Sequence, residues 1–294
     1  MSRFLEFNDF PWQDTLGGGL YQATEHYLGR GADRLFFGRV PSRPDDRYLL
    51  SISSVTSDGS RAVEANRDKL LLSAPGVFTP VFVGHFDVLG EDPPRDRFRT
   101  HEYGFVERLP EGGPLSRLLP APRAHAVELG CQIGLLLQGA VAAGVLVVGL
   151  RPEYVWVRVD GPTPVVTGIG GRNSAFFGAA GRGRDLPTAR LFTHRYTAPE
   201  AGRGASLDDR ALVLTLAVMV AEWATGEYPY PMDDGQWGYY NLVDGKHREL
   251  RLSAELARLL SLGMRPLPGD RPDLRTFTER LQAIRDEETA HSLG

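Results

Sequence analysis

Gly29 and Gly31 are spaced so that backbone N–H groups can approach an anion, which is how glycine turns cradle phosphate. A plain β-turn uses the same residues, and with Arg34 intruding soon after, the plain turn is the favoured reading. Arg34, Arg39 and Arg47 could form a phosphate-binding patch, although scattered arginines usually make solvated faces. The chain has only two lysines, Lys69 and Lys246, and no lysine precedes Lys69. The 7 histidines show no metal-ligand spacing. Cys131, the only cysteine, excludes an internal disulfide and sits in an apolar run where it is expected to be core. Acids such as Asp160 and Asp185 stand outside any pattern. Neither a metal nor a cofactor is expected.

The elements that must hold these residues fall into two halves. From 21 to 53 the chain reads as strands, YQATEHYL, RLFFGRV and RYLLSISS, with Pro44-Asp45-Asp46 as the turn before the last. A helix is predicted over 59–73, ending at Pro75-Gly76, and strands return at TPVFVGHFDV and HEYGFVERL. After Pro120 the pattern turns helical, with helices expected at 122–143, 206–225, 253–263 and 272–286. A small β-rich half followed by a larger helical half is an α+β, two-lobe arrangement, with the hinge expected near Arg108–Gly113.

Hydrophobic residues are 42% and charged residues 24% of the 294, an ordinary mix for a globular domain. A net charge of −4 gives no electrostatic footprint for nucleic acid or acidic membranes. The uncharged run Leu129–Leu150 imitates a membrane span, with Gly130 and Gly134 at small-xxx-small spacing. Its glycines at 139, 144 and 149 favour a buried helix followed by a strand instead. The N-terminal MSRFLEFNDFPWQD carries acids early and no apolar core segment, which argues against a secretory leader and for a cytoplasmic setting.

Six segments, in order, resemble the eukaryotic-type Ser/Thr protein kinases of bacteria. LGRGADRLFFGRVPSRPDDRYLLSI resembles the glycine-rich loop and following strands, and FVERLPEGGPL the hinge. GVLVVGLRPEYVWV resembles the catalytic loop, and RYTAPE the end of the activation segment. ATGEYPY resembles the end of the central helix, and GDRPDLRTFTERL the terminal Arg-Pro helix. The resemblance implies a protein-kinase-like fold with an N-terminal extension (1–20), an N-lobe (21–108), a C-lobe (109–286) and a C-terminal tail (287–294).

The same resemblance locates what is missing. Kinase chemistry uses a lysine on the phosphates, an Asp for the substrate hydroxyl, and Asp and Asn ligands for magnesium. Here those positions hold Ser51, Gly149, Gly168 and Tyr154, and the third glycine of the loop falls at Arg34. Glu64 matches the regulatory-helix glutamate but lacks its lysine partner, and a solvent-facing role is favoured over pairing with Arg67 or Arg47. Glu107 and Arg108 match a gatekeeper and first hinge residue; a solvent-facing pair on an edge strand is the equal alternative. The brace Asp of the central helix becomes Leu212. Thr193 and Thr197 flank Arg195-Tyr196 as candidate phosphorylation sites, without the catalytic-loop arginine (Val148 here) that would dock the phosphate. Glu200 and Arg271, by contrast, stand where the family pairs a glutamate with an arginine to hold the lower lobe.

The resemblance therefore implies a pseudokinase that scaffolds or allosterically regulates a protein partner, an active kinase among the candidates. Nucleotide binding is expected to be absent, or weak and independent of metal. Two alternatives are a nucleotide or metabolite sensor that works without magnesium, and an enzyme using the cleft for other chemistry.

Overall fold

The computed structural model describes residues 11–14, 20–28, 33–40, 43–54, 74–78, 80–88, 102–118, 125–170, 174–176, 195–202, 207–231 and 238–293. The chain divides into two compact units, residues 1–72 with 78–110, and residues 73–77 with 111–294. Among the described residues the first unit holds strands and the second is mainly helical, an α+β protein.

In the first unit, β1 (Pro11–Asp14), β2 (Leu20–Leu28), β3 (Asp33–Val40), β4 (Arg43–Ser54), β6 (Pro80–Val88) and β7 (Glu102–Arg108) close into a barrel in the order β1-β2-β3-β4-β7-β6. Closure leaves no free sheet edge, and the strand that achieves it, β1, lies inside the expected N-terminal extension. Its short PWQD run has no clean alternation, so only its pairing with β2 and β6 marks it as a strand.

Two expectations are corrected here. Pro44–Asp46 are part of β4 rather than a turn, since Arg43 already pairs with Val40. Asp46 is held there because its Oδ1 accepts from Arg108 Nη2 at 2.6 Å and its Oδ2 from the Tyr48 hydroxyl at 3.2 Å. The edge-strand reading of Glu107 and Arg108 also fails, because β7 runs between β4 and β6. Alternation along that inner strand separates the two residues: Glu107 is fully buried and Arg108 is exposed. The helix expected at 59–73 lies outside the described residues.

In the second unit, α1 (Ala126–Ala142), α3 (Arg210–Thr225), α5 (Ala254–Gly263) and α6 (Leu274–Leu293) pack on one another, joined by the short helices α2 (Pro199–Gly202) and α4 (Tyr239–Asp244). The apolar run from Ala211 to Ala221 puts α3 at the centre, with every residue of that run buried. Asp273 accepts from the Thr276 N–H at 2.7 Å, and this bond holds its carboxyl below the usual range, the behaviour of an N-cap at the start of α6. That helix runs on to Leu293 rather than stopping at 286, because EETAHSL contains no glycine or proline to end it.

The uncharged run from Leu129 resolves into the rest of α1, a turn at Ala143–Gly144, and β9 (Val145–Val147). Among the described residues no helix is long and apolar enough to cross a membrane. Cys131 is buried on α1, and burial pushes its thiol up to about 12. Alkylation by iodoacetamide at pH 8 should therefore follow unfolding of the helical unit. Labelling of the native chain at the rate of a free thiol would contradict this packing.

A small sheet completes the unit, with β5 (Val77–Phe78), β8 (Gly113–Pro114), β10 (Val155–Arg158) and β11 (Val165–Gly170) in the order β5-β11-β10-β8. Beside it, β9 pairs with β12 (Ser174–Phe176). Where β11 outruns its two-residue neighbour, Gln132 on α1 substitutes for a strand. Its Oε1 accepts from the Val166 N–H at 2.7 Å and its Nε2 donates to the Pro164 carbonyl at 3.1 Å.

Candidate functional site

The segment Gly149–Tyr154 lies between β9 and β10, and Gly168 lies on β11. The β10–β11 register sets Trp156 opposite Gly168 and Val155 opposite Ile169, so Tyr154 stands one residue beyond that last pair. Two of the four degenerate positions are thus brought to the same hairpin. Gly149 turns the chain with φ of +68°, a left-handed backbone that costs an L side chain energy, although Asp and Asn tolerate it best. Neither glycine offers a charge or a hydrogen-bonding side chain to a ligand.

Tyr154 is buried, and its own neighbour engages it. The Arg151 guanidinium lies 4.9 Å from the ring centroid and its Nη2 donates to the Tyr154 hydroxyl at 3.3 Å. Arg151 also pairs with Glu153 at 3.8 Å. Arg151 is thus engaged by two residues of its own loop. Among the described residues no three His, Cys, Asp or Glu side chains are grouped to hold a metal ion.

Arg195 and Tyr196 are held down on α3 and on Tyr228 just beyond it. Glu222 accepts from Arg195 Nη2 at 3.0 Å and from the Tyr196 hydroxyl at 2.6 Å. The Arg195 guanidinium stacks 4.0 Å from the Tyr228 ring centroid, and the Tyr228 hydroxyl donates to the Arg195 carbonyl at 2.5 Å. Thr215 on α3 donates to the Tyr196 carbonyl at 2.7 Å. Burial, with Glu222 next in size, drives the Tyr196 phenol far above its ordinary range, and burial with Tyr230 does the same for Tyr228. Both phenols are neutral donors at any physiological pH.

Glu200 and Arg271, 71 positions apart, meet in a buried fork, Nη1 to Oε1 at 2.5 Å and Nη2 to Oε2 at 3.0 Å. Arg271 also donates to the carbonyls of Arg265 (2.6 Å), Arg210 (3.1 Å) and Pro266 (2.8 Å). The guanidinium therefore ties α2 to the start of α3 and to the loop ahead of α6.

The remaining sequence candidates scatter. Ser51 sits within β4, paired with Leu35 on one side and Phe105 on the other, and Arg34 pairs with Ile52 in the same unit. Gly29, Gly31, Glu64, Arg67, Asp185 and Thr193 lie outside the described residues. Asp160 is exposed and salt-bridged to Arg158, which Glu111 also holds at 2.9 Å. Leu212 is buried in the core face of α3. Thr197 is buried too, so its hydroxyl is out of reach of a modifying enzyme in this conformation. Sequence reasoning did not find Glu222, Tyr228 or Gln132. Glu222 alone carried a signal, as the one acid in a largely apolar helix.

No protein-family model matches this chain, and no curated protein matches it significantly.

Proposed function

We propose that this chain is a pseudokinase, a protein-kinase-like fold without phosphoryl transfer that works by binding and regulating a protein partner. The observation that carries the reading is the contrast within the helical unit. The lobe-holding fork Glu200–Arg271 is buried and complete, whereas Gly149, Tyr154 and Gly168 offer no carboxylate or carboxamide to a metal or a hydroxyl. Supporting it are the strand-built unit ahead of the helical one, and the position of Ser51 in the third strand of the β2-β3-β4 meander. In kinases the phosphate lysine lies on the third strand.

Charge placement gives the mechanistic consequence. Bringing a triphosphate to such a site removes hydration from several negative charges, and neither a lysine nor metal-binding carboxylates return it. Losing one electrostatic stabiliser typically lowers a rate about 10²- to 10³-fold, and losing several leaves little. Arg151 contacts Glu153 and Tyr154, which would have to yield before it served as a cation for phosphate.

Calorimetric titration with ATP at matched ionic strength, with and without Mg²⁺, tests the reading together with radiolabel transfer to generic substrates. The expected result is no magnesium-enhanced affinity and no transfer above a denatured control. Micromolar affinity that needs the metal, or measurable transfer, would overturn it.

A further inference from the structure

Residues 195–197 are a strap fastened at both ends by different means. At the far end, α2 is pinned by the Glu200–Arg271 fork, whose charges are both buried. At the near end Glu222 takes both the Arg195 guanidinium and the Tyr196 hydroxyl, and among the described residues it is the only charged acceptor there, beside the Tyr228 and Thr215 bonds to the Arg195 and Tyr196 carbonyls. Between these ends the closed strap buries two polar atoms that no hydrogen bond satisfies among the described residues, Thr197 Oγ1 and Arg195 Nε. Buried unpaired polar atoms oppose the conformation that buries them, because water would satisfy them.

We propose that Glu222 is the latch of a two-position strap, with a closed form seen here and an open form in which residues 195–197 lift from α3 and Thr197 reaches water. The two terms act in opposite directions. Charge-assisted bonds to Glu222 favour closure. The unpaired Thr197 hydroxyl favours opening. Because the fork holds α2, the strap pivots at Ala198 rather than pulling the unit apart, which is local opening rather than global unfolding. The Thr197 hydroxyl is then a conditional site, hidden while the latch holds. The device rests on the helical unit alone and does not depend on the pseudokinase reading.

Tryptic cleavage after Arg195 reads the open form, because the bond to Tyr196 cannot enter a protease while Tyr196 and Thr197 are packed. Where opening is fast relative to cleavage, the rate tracks the open population. The full chain is digested under native conditions, the peptide beginning at Tyr196 is followed by mass spectrometry, and thermal melts are run alongside. Glu222→Gln should speed this cleavage about tenfold, the effect of weakening one charge-assisted contact. Thr197→Val, which keeps the shape and removes the unpaired hydroxyl, should slow it about threefold or more. Melting temperatures should stay close to that of the parent.

Opposite shifts at unchanged global stability support the latch. Parent-like cleavage in Glu222→Gln overturns it, as do shifts of the same sign in both variants or shifts that merely follow the melts. A Glu222→Gln chain that fails to fold would make Glu222 a global support and overturn it equally.

Discussion

Arg271→Ala is expected to destabilise the helical unit by about 3–5 kcal/mol, and Glu200→Ala by less, although the two residues form one ion pair. The asymmetry comes from what each deletion leaves behind. Without Glu200 the guanidinium keeps three carbonyl acceptors, those of Arg265, Arg210 and Pro266. Without Arg271 a buried carboxylate loses both of its fork bonds, and the same three carbonyls lose a donor. Removing both partners eliminates the stranded charge, so the double variant should cost clearly less than the sum of the singles. Arg271→Lys should recover little, since an ammonium cannot match a fork and three carbonyls at once. Denaturant unfolding of the four chains, followed by the Trp223 and Trp156 fluorescence of the helical unit, measures the cycle. Additive effects below about 1 kcal/mol would mean that the fork contributes only as an exposed pair does.

Alanine at three glycines of α1 should give opposite signs on the same helix. A Cβ on Gly130 would meet Val220 Cγ2 at 2.6 Å and Leu281 Cδ2 at 2.9 Å. On Gly134 it would meet Thr278 Oγ1 at 2.7 Å and Thr278 Cγ2 at 2.8 Å. These neighbours cannot yield easily: Leu281, Val220 and Thr278 are fully buried, and the Thr278 hydroxyl is bonded to the Leu274 carbonyl. Overpacking costs about 1–3 kcal/mol per site, against a helix-propensity gain of about 1 kcal/mol. The Gly130→Ala/Gly134→Ala chain should therefore lose up to about 4 kcal/mol. Gly139, which has nothing within 4 Å of its would-be Cβ, should gain about 0.5–1 kcal/mol as alanine. Equal shifts at all three positions would show that close helix approach is not why these glycines are tolerated.

The small-xxx-small spacing of Gly130 and Gly134 was visible in the sequence, but spacing does not say which surface crosses it. A lipid-embedded partner helix and a buried neighbour demand the same small residues. The tertiary structure decides for α3 and α6 of the same chain, which pass close enough to leave no room for a methyl group.

What the sequence determined by itself is local or periodic. The strands β2, β3, β6 and β7 and the helices α1, α3 and α5 follow from alternation, from apolar runs and from glycine and proline breaks within a few residues of each element. The absence of lysine ahead of Lys69, and of acid at 149 and 168, needs no structure at all. The residues Glu200 and Arg271 were legible only through the resemblance, since nothing local in either segment announces a partner 71 positions away. Tertiary structure alone decided the rest. Closure of the barrel by β1 satisfies the open sides of strands distant in sequence, so PWQD carries no mark of it. Burial of Glu107 depends on β7 lying between β4 and β6, and a charged residue at a strand end reads as exposed until its neighbours are known. Glu222 becomes an acceptor for Arg195 and Tyr196 because α3 passes beneath a segment 26 to 27 residues earlier in the chain. Propensity and periodicity act over a turn or a strand pair, whereas burial and hydrogen-bond partnership are set by packing between elements far apart in sequence.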